Sequence, residues 1–274
     1  MELPIKNLIL DMDGVLWHGE TPVPGLVGFF ATLRAAGIGF VLATNNATKT
    51  AAMYTERMAR FGVDVPPEQI LTSAEVAASH LAGQHEPGSP VYVVGAQGLH
   101  DAMLAQGFRT VTAAEARAGA TAVAVVAGLS PNVTYEELAM ASHLVNQGVP
   151  FIGTNPDATF PSEIGPLPGS GAILAVISTA TGVMPTIIGK PEPIIFHEAV
   201  SRLGGDASGV VMVGDRLSTD IYGAKAAGLR AILLLSGIST REEAEAGSVQ
   251  PDYIFADITE LASFLTRETA VAKH

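Results

Sequence analysis

Short apolar runs, each closed by polar residues or glycine, alternate with stretches of helical spacing from one end of this chain to the other. That alternation limits the folds open to it. Strand patterns cover residues 5–10, 38–43, 91–94, 122–127, 151–153, 187–188, 210–213 and 231–235. Helical patterns cover 27–36, 50–61, 135–146, 170–181, 193–203 and 219–227, and a further strand–turn–helix unit runs through Gly95 to Gln106. Residues 66–72 read as a short helix and a strand edge. Gly37 and Gly62 stop the first two helices. Thr134 and Glu137 have the spacing of a capping box, in which each side chain satisfies a backbone N–H of the other. Repeated βαβ units of this kind predict parallel sheets with helices on both faces.

With 274 residues the chain has room for one large domain or two ordinary ones. The expected architecture is α/β: a doubly wound parallel-sheet core from 1–80 and 186–274, with a smaller α/β domain, 81–185, inserted into it. Pro87-Gly88-Ser89-Pro90 is the best linker signal at the entry, and Val183-Met184-Pro185 marks a less distinct exit. The tail from about Arg267 is expected to fray.

Four polar clusters stand at the ends of four of these strands. The first is Leu8-Ile-Leu-Asp11-Met-Asp13-Gly14, two carboxylates two residues apart and a glycine that frees the backbone to turn. Side chains at i and i+2 of a strand start on one face, so the pair suits a hard cation and acid–base work. Alone it fits a turn nearly as well. Thr44-Asn45-Asn46, Gly189-Lys190-Pro191 and Gly214-Asp215-Arg216, with Asp220 behind it, close the other three strands. Each has a bland explanation by itself: a helix start, a solvated charge, a turn. In an open parallel sheet, however, the carboxyl ends of the strands share one edge, where the four clusters can converge.

Charge and composition narrow the ligand. A net charge of −12 argues against nucleic acid and anionic membranes as partners. An anionic substrate would then need a bound cation or a well-placed lysine. The absence of cysteine excludes thiol catalysis, disulfides and thiolate metal sites, and fits a reducing, cytoplasmic setting. The N-terminus does not read as a signal peptide, and no apolar run is long enough to span a membrane.

In these motifs the chain resembles the haloacid dehalogenase superfamily of phosphatases. It is closest to the branch with a large α/β cap between the second and third motifs, which includes 4-nitrophenyl-, phosphoglycolate, pyridoxal-phosphate and sugar-phosphate phosphatases. The motifs run in the family's order, and Thr154-Asn155-Pro156-Asp157 and Pro168-Gly169-Ser170-Gly171 resemble the same branch. The resemblance implies a Rossmann-like core and a Mg²⁺-dependent phosphomonoesterase acting on a small phosphorylated metabolite. Asp11 would be the nucleophile that forms an aspartyl phosphate, and Asp13 the general acid and base. Asp11, the Asp13 carbonyl and Asp215 would hold Mg²⁺. Thr44, Asn45 and Asn46 would bind the phosphoryl group, and Lys190 would neutralise it. Gly214 and Asp220 would support the site. Asn155 and Phe160, within the stretch 155–161, are the expected substrate-facing cap residues, and two copies would pair through the cap. Members specialised for pyridoxal phosphate carry a histidine near Phe160, which is absent here.

Two other readings compete. A dehalogenase on the same scaffold needs neither the second acid nor the metal. A phospho-aspartate signalling module is far shorter and has no cap-sized insertion. Gly169-Ser-Gly171 begins like a dinucleotide fingerprint but lacks its third glycine and follows a loop, so a helix-entry turn is the better reading. Trp17 and His18, just after the first motif, fit a substrate-gating flap and a packed hairpin equally well.

Overall fold

The computed structural model describes residues 5–160 and 164–271. They form two compact units. One contains the segments up to Thr44, Ala51–Leu71 and from Lys190 onward; the other contains Asn45–Thr50 and Thr72–Gly189.

In the first unit a six-stranded sheet has the order Tyr253–Phe255, Arg230–Leu234, Val210–Gly214, Asn7–Leu10, Gly39–Thr44, Ile70–Thr72. The first five run parallel. Asn7–Leu10 lies at the centre: chain order runs outward from it in one direction through Gly39–Thr44, and in the other through Val210–Gly214. This is a topological switch point, where open α/β sheets place their sites. Register explains the continuous apolar sequence. Leu8 pairs with Val211 and Phe40, and Leu10 with Val213 and Leu42. All six join one core beneath Phe29, Phe30 and Leu33 of helix Leu26–Ala36 and Ile258, Leu261 and Leu265 of helix Ile258–Val271. Ile9, Val41 and Met212 alternate to the opposite face and are buried as well. Helix Pro193–Arg202 packs against strand Gly39–Thr44. A strand buried on both faces must be apolar at every position. Only beyond the sheet's carboxyl edge can Asp11 and Asp215 follow.

The second unit has its own five-stranded parallel sheet, ordered Thr186–Ile187, Phe151–Gly153, Ala124–Ala127, Pro90–Val94, Arg109–Val111. Helix Tyr135–Asn146 opens with the expected capping box of Thr134 and Glu137. The helix Ser73–Ala82 also belongs here, with an identical box from Thr72 and Glu75, and packs on helix Gln97–Ala105. Along the chain the second unit thus comprises Thr72–Gly189 together with Asn45–Thr50. Pro87–Pro90 is no linker. Gly88 has φ +85° and its N–H donates to the Gly107 carbonyl at 2.8 Å, which makes it a turn within this unit. Segment Asn45–Thr50 joins the second unit because Gly98, lacking a Cβ, lets the backbone of Thr48 and Lys49 lie directly against it. Gly169 and Gly171 form a helix entry: a Cβ on Gly171 would overlap the Pro156 carbonyl, and helix Ser170–Thr181 follows. At the chain's end the last helix continues past Arg267 to Val271, and the final three residues lie outside the described part.

Candidate active site

The first unit brings Asp11, Lys190, Asp215 and Asp220 into one buried cluster at the carboxyl edge of the sheet. The Lys190 ammonium donates to Asp11 Oδ1 at 2.6 Å and pairs with Asp220 Oδ1 at 2.7 Å. It also donates to the Ala43 carbonyl at 3.3 Å, which ties it to the strand that ends in Thr44. The peptide bond between Lys190 and Pro191 is cis. Lys190, Asp215 and Asp220 are each 3% exposed or less. One carboxylate oxygen from each of Asp11, Asp215 and Asp220 lies within 4.8 Å of the others.

Local backbone explains how the cluster is held. Asp11 is still in sheet geometry, its N–H donating to the Val213 carbonyl at 2.9 Å. Asp215 follows the last residue of its strand, and its Oδ2 accepts from the Ile238 N–H at 2.9 Å. Two glycines make room for that carboxylate: a Cβ on Gly14 or on Gly237 would overlap it. Gly14 has φ +87°, so the turn after Asp13 requires glycine twice over, for conformation and for space. Gly214 makes room for Asp220: a Cβ there would overlap that side chain. Beyond Asp215 the chain makes a π-helical turn, Leu217–Ile221, which places Asp220 so that its Oδ2 accepts from the Arg216 N–H at 3.1 Å while Oδ1 faces Lys190. A regular helix from Thr219 was expected. Wider turns of this kind cluster at functional sites because they redirect one side chain.

Electrostatics follow from burial. Burial pushes the Asp11 carboxyl well above its ordinary pKa, against the opposing pull of Lys190, and the charges of Asp220 and Asp215 add to the rise. Burial raises Asp215 too, reinforced by Asp220 and resisted by the Ile238 N–H. For Lys190, burial would lower the pKa, but Asp11 and Asp220 overcome it and hold the ammonium charged. Three carboxylates against one ammonium leave two formal negative charges among buried groups. A divalent cation taking oxygen ligands would cancel them.

Asp13 is exposed, and its Oδ1 accepts from the Trp17 indole N–H at 2.7 Å. Trp17 is fully buried and His18 exposed. Thr44 is buried at the end of its strand, and burial raises the pKa of the Tyr54 phenol. Sequence reading missed Tyr54 and the Trp17–Asp13 bond.

The other expected site residues lie in the second unit. The Asn45 side-chain N–H donates to Asp157 Oδ2 at 3.1 Å, and its carbonyl accepts from Asn155 at 2.7 Å and Ser73 at 2.6 Å. Asn155 is thus occupied in holding the backbone of the second motif. The Asn46 carboxamide oxygen accepts from both the N–H and the hydroxyl of Thr48, an Asx turn. Phe160 stands half-buried in a short hairpin, paired with Leu167. Pro161, the end of the expected substrate-facing stretch, lies outside the described residues.

Comparison with known proteins matches residues 8–109 to the haloacid dehalogenase-like hydrolase family and residues 187–261 to a second family of HAD-hydrolase-like sequences. An acid sugar phosphatase of Staphylococcus aureus (strain USA300) is 39% identical over 262 residues, 96% of this chain and 98% of that protein. This chain belongs to the haloacid dehalogenase-like hydrolases. Within them it falls in the capped phosphatase branch. A p-nitrophenyl phosphatase from Archaeoglobus fulgidus is 32% identical with a TM-score of 0.88, covering 95% of this chain and 99% of its own. A glycerol phosphate phosphatase from Mycobacterium tuberculosis, solved in complex with magnesium, is 36% identical with a TM-score of 0.86, covering 95% of this chain and 78% of its own. No helix among the described residues is long and apolar enough to cross a membrane.

Proposed function

We propose that this haloacid dehalogenase-like hydrolase is a Mg²⁺-dependent phosphomonoesterase of small metabolites that works through an aspartyl phosphate on Asp11. The observation that carries the reading is the buried cluster in which one lysine bridges Asp11 and Asp220 while Asp215 stands within ligand reach. The donor set is all oxygen, as Mg²⁺ prefers, and its excess negative charge is the amount a divalent ion removes. The carboxylates of Asp11 and Asp215 and the carbonyl of Asp13 would hold the ion. Bound there, Mg²⁺ supplies Lewis-acid neutralisation of the phosphoryl oxygens and lowers the pKa of its carboxylate ligands.

The chain's own groups then divide the work. An Asp11 carboxylate oxygen attacks phosphorus in line, and the bond to the ester oxygen breaks. Protonated Asp13 gives its proton to that oxygen, so the alcohol leaves neutral and Asp13 is left as carboxylate. In the second step Asp13 takes a proton from water, whose oxygen attacks the same phosphorus. The bond to Asp11 breaks, phosphate is released, and Asp13 regains its proton. Such general acid–base help is typically worth about 10²–10⁴ in rate. Lys190 and the Thr44 hydroxyl offset charge on the phosphoryl group, an electrostatic contribution that needs fixed donors. Asp220 keeps Lys190 charged and in place. By resemblance to the capped branch, Phe160 is the residue proposed to select among phosphate esters, and Phe160→Ala is expected to reorder kcat/KM across a substrate panel.

Purified protein is expected to release phosphate from 4-nitrophenyl phosphate with Mg²⁺ and to stop when EDTA is added. Asp11→Asn is expected to remove nearly all of that activity. Release that survives both changes would sink the reading.

A further inference from the structure

Asp13 is an exposed aspartate, yet its carboxylate is gripped by a residue with no freedom to move. The Trp17 indole N–H donates to Asp13 Oδ1 at 2.7 Å, short enough for a charge-assisted bond. The turn between them is closed a second time by the Gly14 N–H, which donates to the Trp17 carbonyl at 2.8 Å. The indole itself is locked from behind. Tyr54 stacks on it at 6.2 Å between ring centroids and 16° between planes, and Phe61 tilts against it at 6.0 Å. The Arg57 guanidinium lies over the ring, 4.3 Å from its centroid. Arg57 is buried and reaches on to the Gly19 carbonyl and to Glu20, 3.5 Å away, so it also fixes the hairpin that follows Trp17.

A solvent-facing aspartate normally samples several rotamers, and proton transfer requires one. We propose that Trp17 is a positioning residue for the acid–base chemistry of Asp13: by holding Oδ1, it leaves Oδ2 to carry the proton exchanged with the ester oxygen. This rests on the phosphatase reading above. The competing structural account is that a buried indole needs an acceptor and Asp13 supplies it. The two differ in what happens to the leaving group. An alkoxide must be protonated as it departs, whereas 4-nitrophenolate is stable enough to leave without a proton. A positioning role therefore acts on alkyl esters and spares the nitrophenyl ester; a packing role acts on both alike.

Trp17 is the only tryptophan in the chain. Biosynthetic replacement of tryptophan by its benzothiophene analogue, which has sulfur in place of the N–H, therefore deletes this one donor and nothing else. The experiment compares that protein and Trp17→Phe with the unmodified enzyme, in Mg²⁺, on glycerol phosphate and 4-nitrophenyl phosphate. The readout is kcat/KM, which reports the step in which the ester oxygen leaves. We expect kcat/KM for the alkyl ester to fall by about 10–100-fold, the scale of a misplaced catalytic group, and that for the nitrophenyl ester by less than about 3-fold on the same scale. An equal fall on both esters, or no change on either, would overturn the proposal. The analogue keeps the size of the indole, so it answers the question even where Trp17→Phe fails to fold. An unmodified enzyme that hydrolyses neither ester would instead overturn the phosphatase reading, and the proposal with it.

Discussion

Gly14→Ala, read against Gly19→Ala, is the substitution that the structure prices most directly. Both glycines have positive φ, +87° and +54°. A side chain in the left-handed region costs about 1–2 kcal/mol, so both variants should lose that much. At roughly 2–4 °C per kcal/mol for a protein of this size, the thermal midpoint falls by about 2–8 °C. The two sites differ in what the new methyl meets. At Gly19 nothing lies within 4 Å, whereas at Gly14 the methyl overlaps the Asp215 carboxylate. That carboxylate is buried and held at Oδ2 by the Ile238 N–H, so it must shift or give up that bond. A displaced metal ligand costs on the order of 10–100-fold in metal affinity or activity, by analogy with lost supporting contacts. The assay is the Mg²⁺ concentration for half-maximal phosphate release from 4-nitrophenyl phosphate, with thermal midpoints measured in parallel. Gly19→Ala should lose stability only. Gly14→Ala should lose stability and also need about 10–100-fold more Mg²⁺. Equal Mg²⁺ requirements in the two variants would refute the idea that Gly14 keeps Asp215 in place as a ligand.

Other outcomes follow from the same contacts. Lys190→Met breaks a buried ion pair and leaves Asp11 and Asp220 facing each other, at a cost of about 3–5 kcal/mol in urea unfolding, with activity lost as well. With chelator present, the raised pKa values of Asp11 and Asp215 mean that the folded state holds their protons more tightly than the unfolded chain. Stability from these groups is therefore present below the unfolded value of about 3.9 and is lost as pH rises toward the folded values. Asp215→Asn should accordingly gain stability relative to the parent as pH rises through that window in EDTA, and Mg²⁺ should abolish the gain. A relative stability that stays flat with pH in EDTA would contradict this. Thr134→Ala removes the capping box of a second-unit helix and should cost about 0.5–2 kcal/mol in urea unfolding with kcat/KM unchanged.

Local signals were legible in the sequence, and tertiary ones were less so. Thr134 and Glu137 announce a helix by spacing alone, and helix Tyr135–Asn146 begins as expected. The continuous apolar run before Asp11 marks a strand buried on both faces, which the central position of Asn7–Leu10 explains. Helix Ser73–Ala82 is harder to see. Six of its ten residues are Ser or Ala, and Ser73, Ala74, Val76, Ala77, Ala78 and Leu81 are all buried, so its buried face shows little of the large-apolar periodicity that marks a helix. The π-helical turn at Leu217–Ile221 is set by Asp220 reaching both Arg216 and Lys190, and the second of those partners lies far away in the chain. The four motifs point to one sheet edge because a parallel sheet places strand ends together. Nothing in spacing reveals that Asn155 holds the Asn45 carbonyl across 110 positions. The Trp17–Asp13 bond spans only four residues. It was missed because a tryptophan after a turn reads as packing, and its polar edge goes unweighed.

The central claim is that Asp11 carries the phosphoryl group between the two steps. The most direct test is rapid acid quench of the enzyme with Mg²⁺ and a phosphorus-labelled substrate, followed by borohydride reduction and peptide mapping. The account predicts label retained on protein within the first turnover, and reduction of Asp11 to homoserine in the peptide that contains it. Asp13→Asn should lengthen the life of the adduct, since water then lacks its base. A competent enzyme that shows no protein-bound phosphorus, or shows it on a peptide other than that of Asp11, would contradict the account.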